Sequence, residues 1–177
     1  MADAESGVAV AVLMGSDSDF DVMKEAAEVL GEFGVRCDVR VLSAHRSPSA
    51  LRTFVEESAR TGTRVFIAGA GGAAHLAGTV AAHTALPVLG VPLPGSMLNG
   101  LDALLATVQM PAGIPVATFA IGTAGARNAA LFAVALLALS DPALAERLGA
   151  YRVRQAEKVA SADRRVCDAV AARRAET

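Results

Sequence analysis

"VAVAVLMGSDSDFDVMKEAAEVLGEFG", Val8–Gly34, decides the fold. Its first eight residues are apolar, rich in valine and closed by Gly15, the pattern of a short buried strand. The rest reads as a helix, with Ser18 or Asp17 placed to cap its start and Gly34 placed to end it. A strand that turns through glycine directly into a helix is one βα unit, and the remaining chain repeats it.

"VRCDVRVLS", Val35–Ser43, is a second strand, and its partial alternation puts it near a sheet edge. "SPSALRTFVEESART" is a helix with Ser47 as N-cap and Pro48 in the first helical position. "RVFIAGA" (Arg64–Ala70) and "PVLGVPL" (Pro87–Leu93) read as strands three and four, with a short helix in "AAHLAGTVAAHT" between them. A loop then leads to a helix near Leu98–Val108 that breaks at Pro111, and "IPVATFAIG" (Ile114–Gly122) is a fifth strand. "GARNAALFAVALLALS" is an apolar helix, Asp141-Pro142 interrupts it, and a charged final helix runs to about Arg174. Repeated βα units imply a parallel sheet with helices on both faces. Five strands suit a flavodoxin-like doubly wound order, with ligands bound beyond the C-terminal strand ends.

The 177 residues suit a single α/β domain, with no repeat, low-complexity segment or linker. Hydrophobic residues make up 53% and charged residues 19%, which excludes a disordered chain. A net charge of -2 and 4% aromatics with no Trp argue against a nucleic-acid partner. Cys37 and Cys167 stand in no metal-ligand spacing and fit a reducing, cytoplasmic setting. The N-terminal "MADAESG" lacks the basic and apolar regions of a secretory signal. The run Ala129–Leu139 is too short to span a bilayer and is apolar all round. Such a helix is expected to be buried on every side, which a chain of this size achieves against other subunits.

Three polar loops of small residues fall at predicted C-terminal strand ends. "GSDSD", Gly15–Asp19, enters a helix N-terminus, where free N–H groups attract anions. Ser16 and Ser18 suit a phosphate and Asp19 suits ribose hydroxyls, although helix capping alone accounts for the same residues. "SAHRSP", Ser43–Pro48, puts the planar donor fork of Arg46 beside His45, and histidine's ordinary pKa of about 6.5 suits proton exchange. A polar turn with a capping serine is the competing reading, and the loop alone leaves both open. "GAGGAAH" matches the relaxed dinucleotide fingerprint GxGxxA from Gly69 to Ala74, but the acidic partner about twenty residues on is missing. Its glycines instead suit close approach of backbone to a flat ligand, with His75 nearby. His83 lies near a helix end and reads as structural. No metal cluster, serine elbow or P-loop is present in the sequence. The residues thus point to a cofactor-free site for a phosphorylated ribosyl compound, with histidine proton transfer.

"MGSDSD", "SAHRSP", "AGAGGAAHLAG", "NGLDALLATVQMPAGIPV" and "AIGTAGARNAAL" follow one another in this order. In these motifs the chain closely resembles the class I N5-carboxyaminoimidazole ribonucleotide mutases of purine biosynthesis, from about Val8 to the final helix. The resemblance implies a flavodoxin-like three-layer α/β sandwich with a five-stranded parallel sheet. It implies an extended C-terminal helical arm, about residues 142–175, packing on neighbouring subunits of a homo-octamer. It implies transfer of a carboxylate from N5 to C4 of a ribonucleotide, with no metal, no organic cofactor and no membrane partner. By position, His45 is implied as catalytic acid/base and His75 as a second catalytic-site residue. Ser16, Ser18, Asp19, Ser43, Ala44, Arg46, Ala70, Gly71 and Leu76 are implied as substrate-binding. Phe20, Ala103 and Thr123 depart from the family's usual Trp, Ser and Lys, and Thr123 carries no charge at its position. The class II carboxylases, which take carbon dioxide directly, are the nearest alternative. A non-enzymatic nucleotide-binding protein is a second, and it has no need of His45.

Overall fold

The computed structural model describes residues 7–175, so the acidic stretch of residues 1–6 lies outside the described residues. Five strands form one parallel sheet: β1 (Val10–Met14), β2 (Cys37–Val41), β3 (Val65–Ala70), β4 (Val88–Pro92) and β5 (Ala117–Thr118). Their order is β2-β1-β3-β4-β5, the doubly wound order expected, with β2 at an edge. Register pairs Met14 with Val41 on one side and with Gly69 on the other, so the first three strands end level with one another.

β1 and β3 are buried along almost their whole length, which is why they read as continuous apolar runs. Side chains alternate between the two faces. Ala11 and Leu13 of β1 and Phe66 and Ala68 of β3 join one core with α2 (Pro48–Thr61) and α3 (Leu76–Ala82). Gly69 faces the other way, where α1 (Phe20–Glu32) lays Met23 so close that a Cβ at Gly69 would collide with its side chain. α4 (Leu101–Val108) packs on β4 and β5.

The fifth strand is shorter than the sequence pattern suggests. Only Ala117 and Thr118 pair in register with β4, although Phe119 N–H and Gly122 N–H still donate to the Gly90 and Pro92 carbonyls at 2.9 Å each. Pro115, lacking an N–H, ends the ladder on the N-terminal side. α5 (Thr123–Ala138) follows β5. Within one chain it buries a single side, including Ala126, Ala129, Ala130, Ala133 and Val134, and leaves Phe132 44% exposed.

The chain falls into two compact units that divide after Leu137. The second is dominated by α6 (Pro142–Ala175), 34 residues long, about 51 Å at 1.5 Å per residue. Its Val153, Val159, Val166 and Val170 are exposed. No helix among the described residues is long and apolar enough to cross a membrane.

Candidate active site

β1 ends at Met14 and the chain turns at once into a single 3-10 turn, Asp17–Asp19, before α1. Ser16 caps this turn, and the N-cap position of α1 falls to Asp19, which makes no capping bond there, so neither Ser18 nor Asp17 is the cap. Ser16 and Asp19 form a reciprocal box: the Ser16 side chain accepts from the Ser18 N–H, and Asp19 Oδ2 accepts from the Ser16 N–H at 3.1 Å. The Ser18 hydroxyl donates to Ser16 Oγ at 3.0 Å, and the Ser16 hydroxyl to Asp17 Oδ1 at 3.1 Å. To donate to a phosphate, each hydroxyl turns from its present partner.

After β2, Ser43 and Ser47 close a tight turn. The Ser47 N–H donates to the Ser43 carbonyl at 3.0 Å, and Ser47 Oγ accepts from the Ser43 N–H at 3.0 Å. Ser47 therefore occupies the N-cap position of α2 without capping it, since its side chain is spent on Ser43. Arg46 bridges two loops. Its Nη2 donates to the Gly15 carbonyl at 2.7 Å, and its backbone N–H to Ser43 Oγ at 3.1 Å. A guanidinium has five donors, so most of the fork stays available to an anion.

After β3, Gly71–Ala74 form a turn closed by the Ala74 N–H donating to the Gly71 carbonyl at 3.1 Å. Gly72 and Ala74 have φ of +58° and +39°, a conformation glycine adopts freely and alanine rarely does. This turn delays α3 to Leu76 and leaves His75 at its N-cap position. His75 Nδ1 then lies 2.7 Å from His45 Nε2.

These loops enclose one open cleft of ≈ 670 Å³. Ser16, Ser18, Asp19, Ser43, Ala44, His45, Arg46, Ala70, Gly71, His75 and Leu76 all line it, so every residue singled out as a site candidate is brought together. His83, at the C-terminal end of α3, does not line it. The cleft also takes Gly72 and Ala74 from the β3 loop and Pro94, Gly95 and Ser96 from the loop after β4. These last three share the signal of the other loops, since they too follow a strand at the same sheet edge.

Burial pushes the Asp19 carboxyl above its usual range, against the N–H groups of Ser16 and Gly15 and the charge of Arg46, which pull it down. Among the described residues no three His, Cys, Asp or Glu side chains converge as a metal cluster. The arrangement offers a cationic anchor, a half-buried carboxylate, backbone walls of small residues and two facing imidazoles.

Residues 9–158 match the family model described as AIR carboxylase. The N5-carboxyaminoimidazole ribonucleotide mutase of Brucella melitensis is 56% identical over 153 residues, covering 86% of this chain and 94% of that protein. Its Mycobacterium tuberculosis counterpart is 54% identical over 154 residues, 87% of each chain. Among solved structures, PurE of Treponema denticola superposes with a TM-score of 0.79 at 27% identity, covering 86% of this chain and 94% of that one. The chain belongs to the AIR carboxylase family.

Proposed function

We propose that this protein is an N5-carboxyaminoimidazole ribonucleotide mutase, an isomerase of purine biosynthesis that moves the substrate carboxylate from N5 to C4. The observation that carries the reading is His45 beside Arg46 on the cleft wall, an acid/base next to an anion anchor, in a chain 56% identical to a mutase.

The chemistry explains these residue types. The bond from N5 to the carboxyl carbon breaks, its electron pair stays on N5, and N5 takes a proton as carbon dioxide forms. C4 then bonds to that carbon and releases its own proton. One histidine serves both proton steps if the ring is held still, and His45 is that residue. Arg46, with Ser16, Ser18 and Ser43, anchors the phosphate away from the reacting atoms, so binding energy there fixes the ring against His45. Asp19 accepts from the ribose hydroxyls. Ala44, Ala70, Gly71 and Leu76 bring backbone and small apolar walls against the imidazole and carboxylate, and His75 holds His45. No metal or organic cofactor takes part in this scheme.

The enzyme works in the cytoplasm as a homo-octamer in which the 142–175 arm packs on neighbouring subunits. The exposed apolar side chains of α4 and α6 support an assembly. The experiment is to assay purified protein with N5-carboxyaminoimidazole ribonucleotide and, separately, with 5-aminoimidazole ribonucleotide, each with and without bicarbonate. Formation of the C4-carboxylated product from the first substrate without bicarbonate is expected. Turnover of the second substrate alone, dependent on bicarbonate, would replace the mutase with a carboxylase.

A further inference from the structure

Four strands end at the cleft, and the fourth loop holds the least explained residues. Between Leu93 and α4 the chain bulges outward, with Met97 fully exposed and Leu98 60% exposed. The base of the bulge is closed. Gly100, at φ +88°, lies so near its surroundings that a Cβ there would stand 2.6 Å from Ile121 Cγ2 and 3.2 Å from the Leu93 carbonyl oxygen. One side-chain bond spans the bulge: the hydroxyl of half-buried Ser96 donates to Asp102 Oδ1 at 2.7 Å. Asp102 sits in the first turn of α4, where the helix N-terminus favours its negative charge. The bond from Ser96 holds its carboxyl below the usual range, so Asp102 is ionised at neutral pH.

We infer that Ser96 and Asp102 are a positioning pair that fixes the β4–α4 loop as the fourth wall of the cleft and so retains carbon dioxide between its release from N5 and its capture by C4. The inference rests on the mutase reading. Ser96 spends its only hydroxyl hydrogen on an ionised carboxylate across the bulge, at a shorter distance than either hydroxyl of the Ser16–Ser18 pair, so the bond holds the loop. Carbon dioxide carries no charge for Arg46 to grip, so walls retain it rather than ion pairing. A wall that shifts by about 1 Å spoils the alignment of the reacting carbons, so capture slows relative to escape. Escape leaves 5-aminoimidazole ribonucleotide, with N5 protonated and C4 uncarboxylated, so the quality of the wall is readable as a product ratio.

The test compares the parent with Ser96→Ala, Asp102→Asn and Ser96→Thr. Both the C4-carboxylated product and 5-aminoimidazole ribonucleotide are measured in one reaction, after subtracting loss without enzyme. Ser96→Ala and Asp102→Asn are expected to raise the escaped fraction about 5- to 10-fold with KM within about twofold, and Ser96→Thr, which keeps the hydroxyl, to restore the parent ratio. A general structural defect lowers both products together and leaves the ratio alone. Folded Ser96→Ala with the parent ratio overturns the inference, and decides alone if Asp102→Asn does not fold. A parent that makes no carboxylated product overturns the mutase reading, and the role of this pair with it.

Discussion

His45 Nε2 and His75 Nδ1 lie 2.7 Å apart with their rings at 80°, although 30 residues separate them and β1 stands between the strands that deliver them. Neighbouring strands are about 4.8 Å apart, so β2 and β3 are about two such steps from each other. The chain leaving β1 turns away into α1, and the two imidazoles meet across the space above it. At 2.7 Å one nitrogen donates and the other accepts, so a single hydrogen is shared between them. His45 therefore has one ring edge fixed, as the proposed proton shuttle with its two consecutive duties requires.

His45→Asn is expected to lower kcat by about 10²- to 10⁴-fold while a product nucleotide still binds, because the shuttle is lost and the phosphate anchor is not. Steady-state rates and calorimetry check it. Turnover equal to the parent's would remove His45 from the proton steps.

Arg46→Ala is expected to weaken binding of the phosphorylated ligand by about 10- to 100-fold, the worth of one or two charge-assisted hydrogen bonds. The variant also loses the tie from Arg46 to the Gly15 carbonyl that joins the β1 and β2 loops. Inorganic phosphate or ribose 5-phosphate titrated by calorimetry reads the first effect. Unchanged affinity means the anchor lies elsewhere.

Asp19, as the proposed ribose partner, is expected to make stability and binding respond to pH with opposite signs. Its folded pKa is raised by burial above the unfolded value of about 3.9. Between those two values the native state holds more protons than the unfolded chain, so this group's contribution to stability is lost as pH rises through the window. The ionised form is the better acceptor for ribose hydroxyls, so ligand affinity rises through the same window. Asp19→Asn is expected to flatten both trends, measured as urea midpoints and ligand affinity against pH. A parent whose stability climbs relative to Asp19→Asn over that window would contradict the burial argument.

Gly125→Ala is expected to destabilise the fold by about 1–3 kcal/mol, because its Cβ would overlap the Ala120 carbonyl oxygen, a backbone atom that cannot swing aside. Chemical denaturation checks this. Gly149→Ala, in α6 with nothing near its Cβ, serves as the contrasting variant and is expected to be neutral or stabilising.

Leu101, Leu105 and Val108 recur at helical spacing along α4 and are each about half exposed, with Leu98 continuing the row. Light scattering at micromolar concentration is expected to give a mass several times the 18.0 kDa of one chain, and Leu105→Glu to lower it. A monomeric parent would refute the assembly.

Local chemistry was legible from the residues alone. Short apolar runs mark the strands, partial alternation puts β2 at an edge, and Gly34 marks the end of α1, where its φ is +67°. Three of the four cleft loops are legible because each is a stretch of small or polar residues following an apolar run. Where neighbours compete for the same role, the sequence under-determined the outcome. Three consecutive residues, Ser16, Asp17 and Ser18, can each cap a helix, and the 3-10 turn chose Ser16. Ser47 looked like a cap and was drawn instead to Ser43. The meeting of His45 with His75, the Arg46 tie to Gly15 and the Ser96 wall belong to no local window. They follow from strand order and register, because hydrogen-bonded strands of one level bring distant loops to a common edge, and only the assembled sheet sets that distance.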